Sequence, residues 1–146
     1  MKNFRFSLQK VLEWRQTQLE LQDMKYKRQA AEIAALDGAR EALLAAALRA
    51  EREVRERGAV HGSELAALAE FRDQVKKNRL RLADRRAAAQ KRLAEEQRAL
   101  LEARRRCRLL ERLAERRRKE WEAERDRELE ATASESYLAR WARRQA

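Results

Sequence analysis

The sequence predicts an all-α fold: an antiparallel two-helix coiled-coil hairpin whose second helix is longer than the first. Three observations carry this. The 146 residues contain no proline and three glycines, with 5% aromatic and 42% charged residues, a composition unlike that of a rounded domain and like that of long helices. Apolar residues recur every 3.5 positions along two stretches, and the only cluster of helix-breaking residues, RGAVHGSE, lies between them.

The first helix is expected over about 6–57. Alternate steps of four and three from Leu8 pass through Leu12, Arg15, Leu19, Gln22, Tyr26, Gln29, Ile33, Leu36, Arg40, Leu43, Ala47, Ala50 and Val54, and ten of these fourteen positions are apolar. Such a seam supercoils against a partner helix. Gly38 has good helix formers on both sides and reads as a mid-helix glycine costing about 1 kcal/mol.

The turn is expected at 58–62. Gly58 suits the left-handed residue that ends a helix, and Ser63 suits an N-cap, with Glu64 near the positive end of the next helix dipole. The second helix follows over about 63–142. Its seam runs from Leu65 through Leu68, Arg72, Val75, Arg79, Leu82, Arg86, Ala89, Leu93, Glu96, Leu100, Ala103, Cys107, Leu110 and Ala114, and eleven of these fifteen are apolar. With the turn centred near residue 60, residue i faces roughly 120 minus i, so the first helix runs out of chain opposite about residue 114. The seam fails there too: of Arg117, Trp121, Glu124 and Glu128, only the tryptophan is apolar. The expectation is a single coiled-coil rod over 1–146 whose second helix overhangs beyond about 114, with ATASES a weak point before Tyr137.

Charge and chemistry narrow the function. The formal net charge is +11, of which 1–57 carry +3, 58–114 carry +7 and 115–146 carry +1. One cysteine, Cys107, and one histidine, His61, leave no intramolecular disulfide framework, no multi-cysteine metal site, no His-based metal pair and no catalytic triad, and there is no phosphate-binding glycine loop. The expectation is a non-enzyme without cofactor or small-molecule ligand. No apolar run approaches the roughly 20 residues of a membrane span, and MKNFRFSLQK lacks a secretory apolar region, so a cytoplasmic location is expected. Cys107 lies on the seam as a small hydrophobe.

Two terminal features exceed what one seam buries. FRFSLQKVLEWR brings Phe4, Phe6, Leu8, Val11, Leu12 and Trp14 together, either to pack on the second helix near Leu110 and Leu113 or to meet a partner. The overhang holds Trp121, Leu129, Tyr137, Leu138 and Trp141, residue types enriched at protein interfaces. The arginine clusters RLADRR, ARRRCR and ERRRKEW suggest i, i+4 pairing, such as Glu102 with Arg106 and Glu115 with Lys119. Alternatively they meet an acidic protein or phosphates. Ala67, Phe71, Gln74 and Asn78 share one helix face, for flank packing or docking.

The motif F-x-F-x-L-Q-x-V-L-x-x-R (Phe4, Phe6, Leu8, Gln9, Val11, Leu12, Arg15), the central glycine turn and LLEARRRCRLLERL in the second helix together resemble the FliJ family, a coiled-coil component of the bacterial flagellar type III protein export apparatus. The resemblance spans essentially the whole chain. It implies a monomer when free that binds a hexameric export ATPase, promotes its assembly and activity, and links it to an export-gate membrane protein and to export chaperones. It also implies peripheral association with the cytoplasmic face of the inner membrane at the flagellar base. Ring-binding candidates under this resemblance are Phe4, Phe6, Leu8, Val11, Leu12, Arg15, Trp121 and Trp141; gate-binding candidates are Ala67, Phe71, Gln74 and Asn78. One departure is Ser134-Glu135, where many relatives have an Asp-Glu pair. The alternative reading is a basic coiled coil that scaffolds or associates with nucleic acid without sequence specificity.

Overall fold

The computed structural model describes residues 3–145. It contains two helices and, among the described residues, no strand: α1 spans Gln9–Glu56 (48 residues) and α2 spans Gly62–Gln145 (84 residues), packed against each other. The fold is therefore the all-α hairpin with a longer second helix. No described helix is long and apolar enough to cross a membrane. Contacts divide the chain into two units, Leu21–Leu101 and a second made of the residues up to Glu20 with those from Glu102 onward.

In the Leu21–Leu101 unit the turn forms because Gly58 adopts φ +73°, a conformation that side-chain-bearing residues rarely take. α2 starts one residue earlier than expected. The His61 carbonyl accepts from the amides of Glu64 (3.0 Å) and Leu65 (3.2 Å), so His61 occupies the N-cap position and Ser63 lies inside the first turn rather than capping it. Glu64 supplies the favourable first-turn carboxylate and pairs with Arg57 at 3.6 Å across the turn.

The seam of this unit follows the 3.5-residue spacing. Leu36, Val75, Ala89 and Leu100 are buried, and Ile33, Leu43, Ala47, Ala50, Leu82 and Leu93 are half-buried. Polar seam residues reach across instead of breaking it. Gln22 donates to the carbonyl (3.3 Å) and to the carboxylate of Glu96, and Gln29 donates to the Ala89 carbonyl at 3.3 Å. Ala89, 1% exposed, is small enough for a glutamine amide to approach the main chain behind it. Arg86 clasps Asp37 through two nitrogens (2.6 and 3.4 Å), and Arg72 pairs with Glu51 at 3.1 Å. The residue numbers of these cross-helix pairs add to between 118 and 123, which is the antiparallel register that a turn near residue 60 imposes.

In the second unit, Leu12 and Cys107 are buried, and the seam residues Leu19, Ala103, Leu110 and Ala114 are half-buried. α1 begins at Gln9 rather than about residue 6. Residues 3–6 are not helical and the chain enters α1 through a turn in which the Gln9 amide bonds the Phe6 carbonyl at 3.1 Å. That non-helical segment lies over α2, and the ring centroids of Phe4 and Trp121 are 5.9 Å apart. The uncovered part of α2 accordingly starts beyond Arg125, not at about 114: Trp121, Glu122 and Arg125 are half-buried, and every described residue from Asp126 is exposed. ATASES causes no break, and α2 continues to Gln145 rather than ending near 142. The Thr132 hydroxyl donates to the Glu128 carbonyl at 2.8 Å, keeping its hydrogen-bonding capacity within the helix.

Two stability outcomes follow. A Cβ at Gly38 meets nothing within 4 Å, whereas one at Gly58 is strained by the positive φ. Gly38→Ala therefore raises stability by about 1 kcal/mol and Gly58→Ala lowers it by a similar amount, measured by urea denaturation followed by circular dichroism. Arg79 Nε is buried on the seam without a hydrogen-bond partner. Arg79→Leu removes that unpaired donor and extends the apolar stripe, raising stability by about 1 kcal/mol in the same assay.

Candidate functional site

The residues singled out at the N-terminus separate into packing and presenting groups. Leu12 is 7% exposed and belongs to the seam; Phe4, Phe6 and Arg15 are half-buried. Leu8, Val11 and Trp14 are exposed, Trp14 at 53%: Leu8 is in seam register but just precedes α1, whereas Val11 and Trp14 lie off the seam. Trp14 carries the Arg15 guanidinium 4.7 Å over its ring.

Trp121 is not the solitary aromatic that the seam alone suggests. It stands between Phe4 and Arg125, whose guanidinium is 5.4 Å from its ring centroid. Phe4, Phe6, Arg117, Glu120, Trp121 and Glu124 line an open groove of about 1020 Å³ between the N-terminal segment and α2. The helical periodicity missed this groove because it is built by residues that precede the helix. The paired phenylalanines of FRF, too large for one seam position, were the available signal.

Farther along α2, Leu129, Tyr137, Leu138 and Trp141 are exposed, Tyr137 at 69% and Trp141 at 52%. Nothing in the described chain covers them. The positions opposite were used up by the N-terminal segment at Trp121.

In the Leu21–Leu101 unit, Ala67, Phe71 and Gln74 are exposed on one face of α2, and Asn78 is half-buried at its end. Asn78 borders a shallow apolar groove with Ala39, Ala42, Leu43 and Leu82, flanked by Arg81 and Arg85. The α1 alanines of that groove were absent from the sequence-derived strip, since only the helix pairing brings them beside Asn78.

The arginine clusters are partly neutralised within α2. Glu102 pairs with Arg106 at 3.0 Å as the spacing predicts. Glu120 takes both Arg116 (3.0 Å) and Arg117 (3.3 Å), and Glu122 takes Arg118 at 3.1 Å. The expected Glu115–Lys119 pair does not form.

Cys107 is 2% exposed, and its thiol donates to Glu111 Oε1 at 3.4 Å. Burial first, then the hydrogen bond to Glu111 and its negative charge, push the thiol above its ordinary value of 9.0. No group of three or more metal-ligating side chains occurs among the described residues.

No known family profile, curated protein or solved structure matches this chain. The surfaces above therefore stand on their own geometry.

The buried thiol has a measurable consequence. The native chain reacts with a thiol reagent at pH 8 far more slowly than the urea-unfolded chain, because little thiolate forms and access is blocked. Comparable native and unfolded rates would contradict the burial. The stability carried by the protonated thiol is complete below pH 9.0 and declines as pH rises past it, since the unfolded chain gives up its proton first.

Proposed function

We propose that this protein is a non-enzymatic coiled-coil component of a bacterial flagellar type III export apparatus that binds a hexameric export ATPase and promotes its assembly and activity. The observation that carries the reading is the N-terminal F-x-F-x-L-Q-x-V-L-x-x-R segment, in which Leu8, Val11 and Trp14 are exposed while Phe4, Phe6 and Leu12 pack inward. This is more apolar surface than a solvated helix end requires. The exposed aromatics of the C-terminal part of α2 support the same reading, since Trp and Tyr supply large contact area at low entropic cost.

A helical surface suits a ring of equivalent subunits. It offers a slightly different face to each without a deep pocket, and a ligand preferring the assembled ring draws assembly forward by mass action. On this reading ATP hydrolysis belongs to the partner, in keeping with a sequence that carries no phosphate-binding glycine loop. Under this reading, Ala67, Phe71, Gln74 and Asn78 meet the cytoplasmic part of an export-gate membrane protein, export chaperones are further partners, and the protein works at the cytoplasmic face of the inner membrane.

The decisive measurement mixes the purified chain with a cognate export ATPase. Added protein shifts the ATPase toward hexamers and raises hydrolysis, and unchanged oligomer size with unchanged hydrolysis sinks the proposal. Val11→Glu with Trp14→Ala, both at exposed positions, leaves helicity intact and lowers the apparent affinity by about tenfold or more, as expected for loss of an aromatic anchor.

A further inference from the structure

Along α2, Arg105, Arg108, Arg112, Arg116 and Lys119 are spaced by three, four, four and three residues, and all five are exposed. At 100° per residue they fall within about 80° of arc, centred roughly 170° around the helix from the seam of Ala103, Cys107, Leu110 and Ala114. They form one cationic ridge on the side of α2 opposite α1, about 21 Å long. Of the five, only Arg116 has an ion-pair partner among the described residues. Four cations therefore stand in a row with no carboxylate of their own.

We propose that this ridge is a docking surface for an α-helix bearing an acidic stripe, contributed by a protein partner. The spacing is the first reason. The cations repeat every 3.5 residues, or about 5.3 Å along the axis, which is the repeat of carboxylates placed at three- and four-residue intervals on a second helix. Each cation then finds a carboxylate without drift. Phosphates on one strand of duplex DNA rise only about 3.4 Å each along the duplex axis and do not share that repeat.

The flanks of the ridge are the second reason. Glu111 and Glu115 lie on one side and Glu102 and Glu120 on the other, about 60–100° from its centre. A broad phosphate surface resting on the ridge presses against these carboxylates, whereas a helix 10–12 Å across seats between them. The third reason is apolar: Leu109 and Leu113, both exposed, run beside the ridge one helical turn apart and give such a helix something to bury. Isolated surface ion pairs contribute little, so a row of them with an apolar border is the arrangement that yields usable affinity. The inference does not depend on the ring-ATPase reading.

The test uses the full chain and synthetic probes in fluorescence anisotropy. One probe is a 28-residue helical peptide with glutamates at alternating three- and four-residue spacing; a second has the same composition with glutamates distributed around the helix; a third is a 28-base-pair DNA duplex. The first peptide binds about tenfold or more tightly than the second, and Arg105→Glu with Arg112→Glu weakens it by about tenfold, since two pairs become repulsions. Arg52→Glu with Arg55→Glu, exposed cations on α1 that make the same change in net charge, shifts it by less than about twofold. Circular dichroism verifies that both variants keep their helices. Equal binding of the two peptides, tighter binding of the duplex, or no effect of the α2 charge reversal overturns the proposal.

Discussion

The structure depends on a narrow apolar stripe that repeats every 3.5 residues on both helices. Neither helix has the composition to bury a broad face: mean hydropathy is −0.93, and the side chains that become buried are Leu12, Leu36, Val75, Ala89, Leu100 and Cys107. Such a thin core holds two helices only if the stripes stay opposed along their length, which the 3.5-residue period achieves by supercoiling. Among the described residues no polar or charged residue is buried as a whole, although Arg79 brings its unpaired Nε onto the stripe. Gln22, Gln29 and Arg86 sit on the stripe but at its edge, where each bonds to the facing helix.

These polar crossings give the packing its register. An all-leucine stripe tolerates sliding by a heptad, whereas an amide that must meet the Ala89 or Glu96 carbonyl, and a guanidinium that must meet Asp37, do not. The half-exposed Arg86–Asp37 pair adds little free energy by itself. Its consequence is positional, since a register shift leaves both partners and both glutamines without their acceptors.

The thin stripe also explains where interaction surface is left over. A helix that buries only the a and d positions presents the rest of its circumference to solvent, and in this chain that circumference is sorted. Val11 and Trp14 face outward near the start of α1, a cationic ridge follows the outer side of α2 through 105–119, and exposed leucines and aromatics occupy 129–141. Charged residues alone would keep such a surface solvated. The outward tryptophans and leucines give it an energetic reason to be covered.

Much of the fold could be read from the sequence, because it rests on local rules. The absence of proline, the RGAVHGSE break and the alternation of three- and four-residue steps specified two helices, their order and the facing residues, and Gly58 was identifiable as the residue with positive φ. Tertiary structure alone decided that the Phe4 segment leaves the helix and covers Trp121, moving the start of the uncovered helix from about 114 to beyond Arg125. It also decided that α1 alanines border Asn78, whereas the burial of Leu12 was already legible from its place on the seam. Periodicity assigns a face to each residue within a helix. It does not say what a non-helical segment lies against, or which two faces come together to form a groove, because those depend on contacts between residues more than 30 positions apart in the chain.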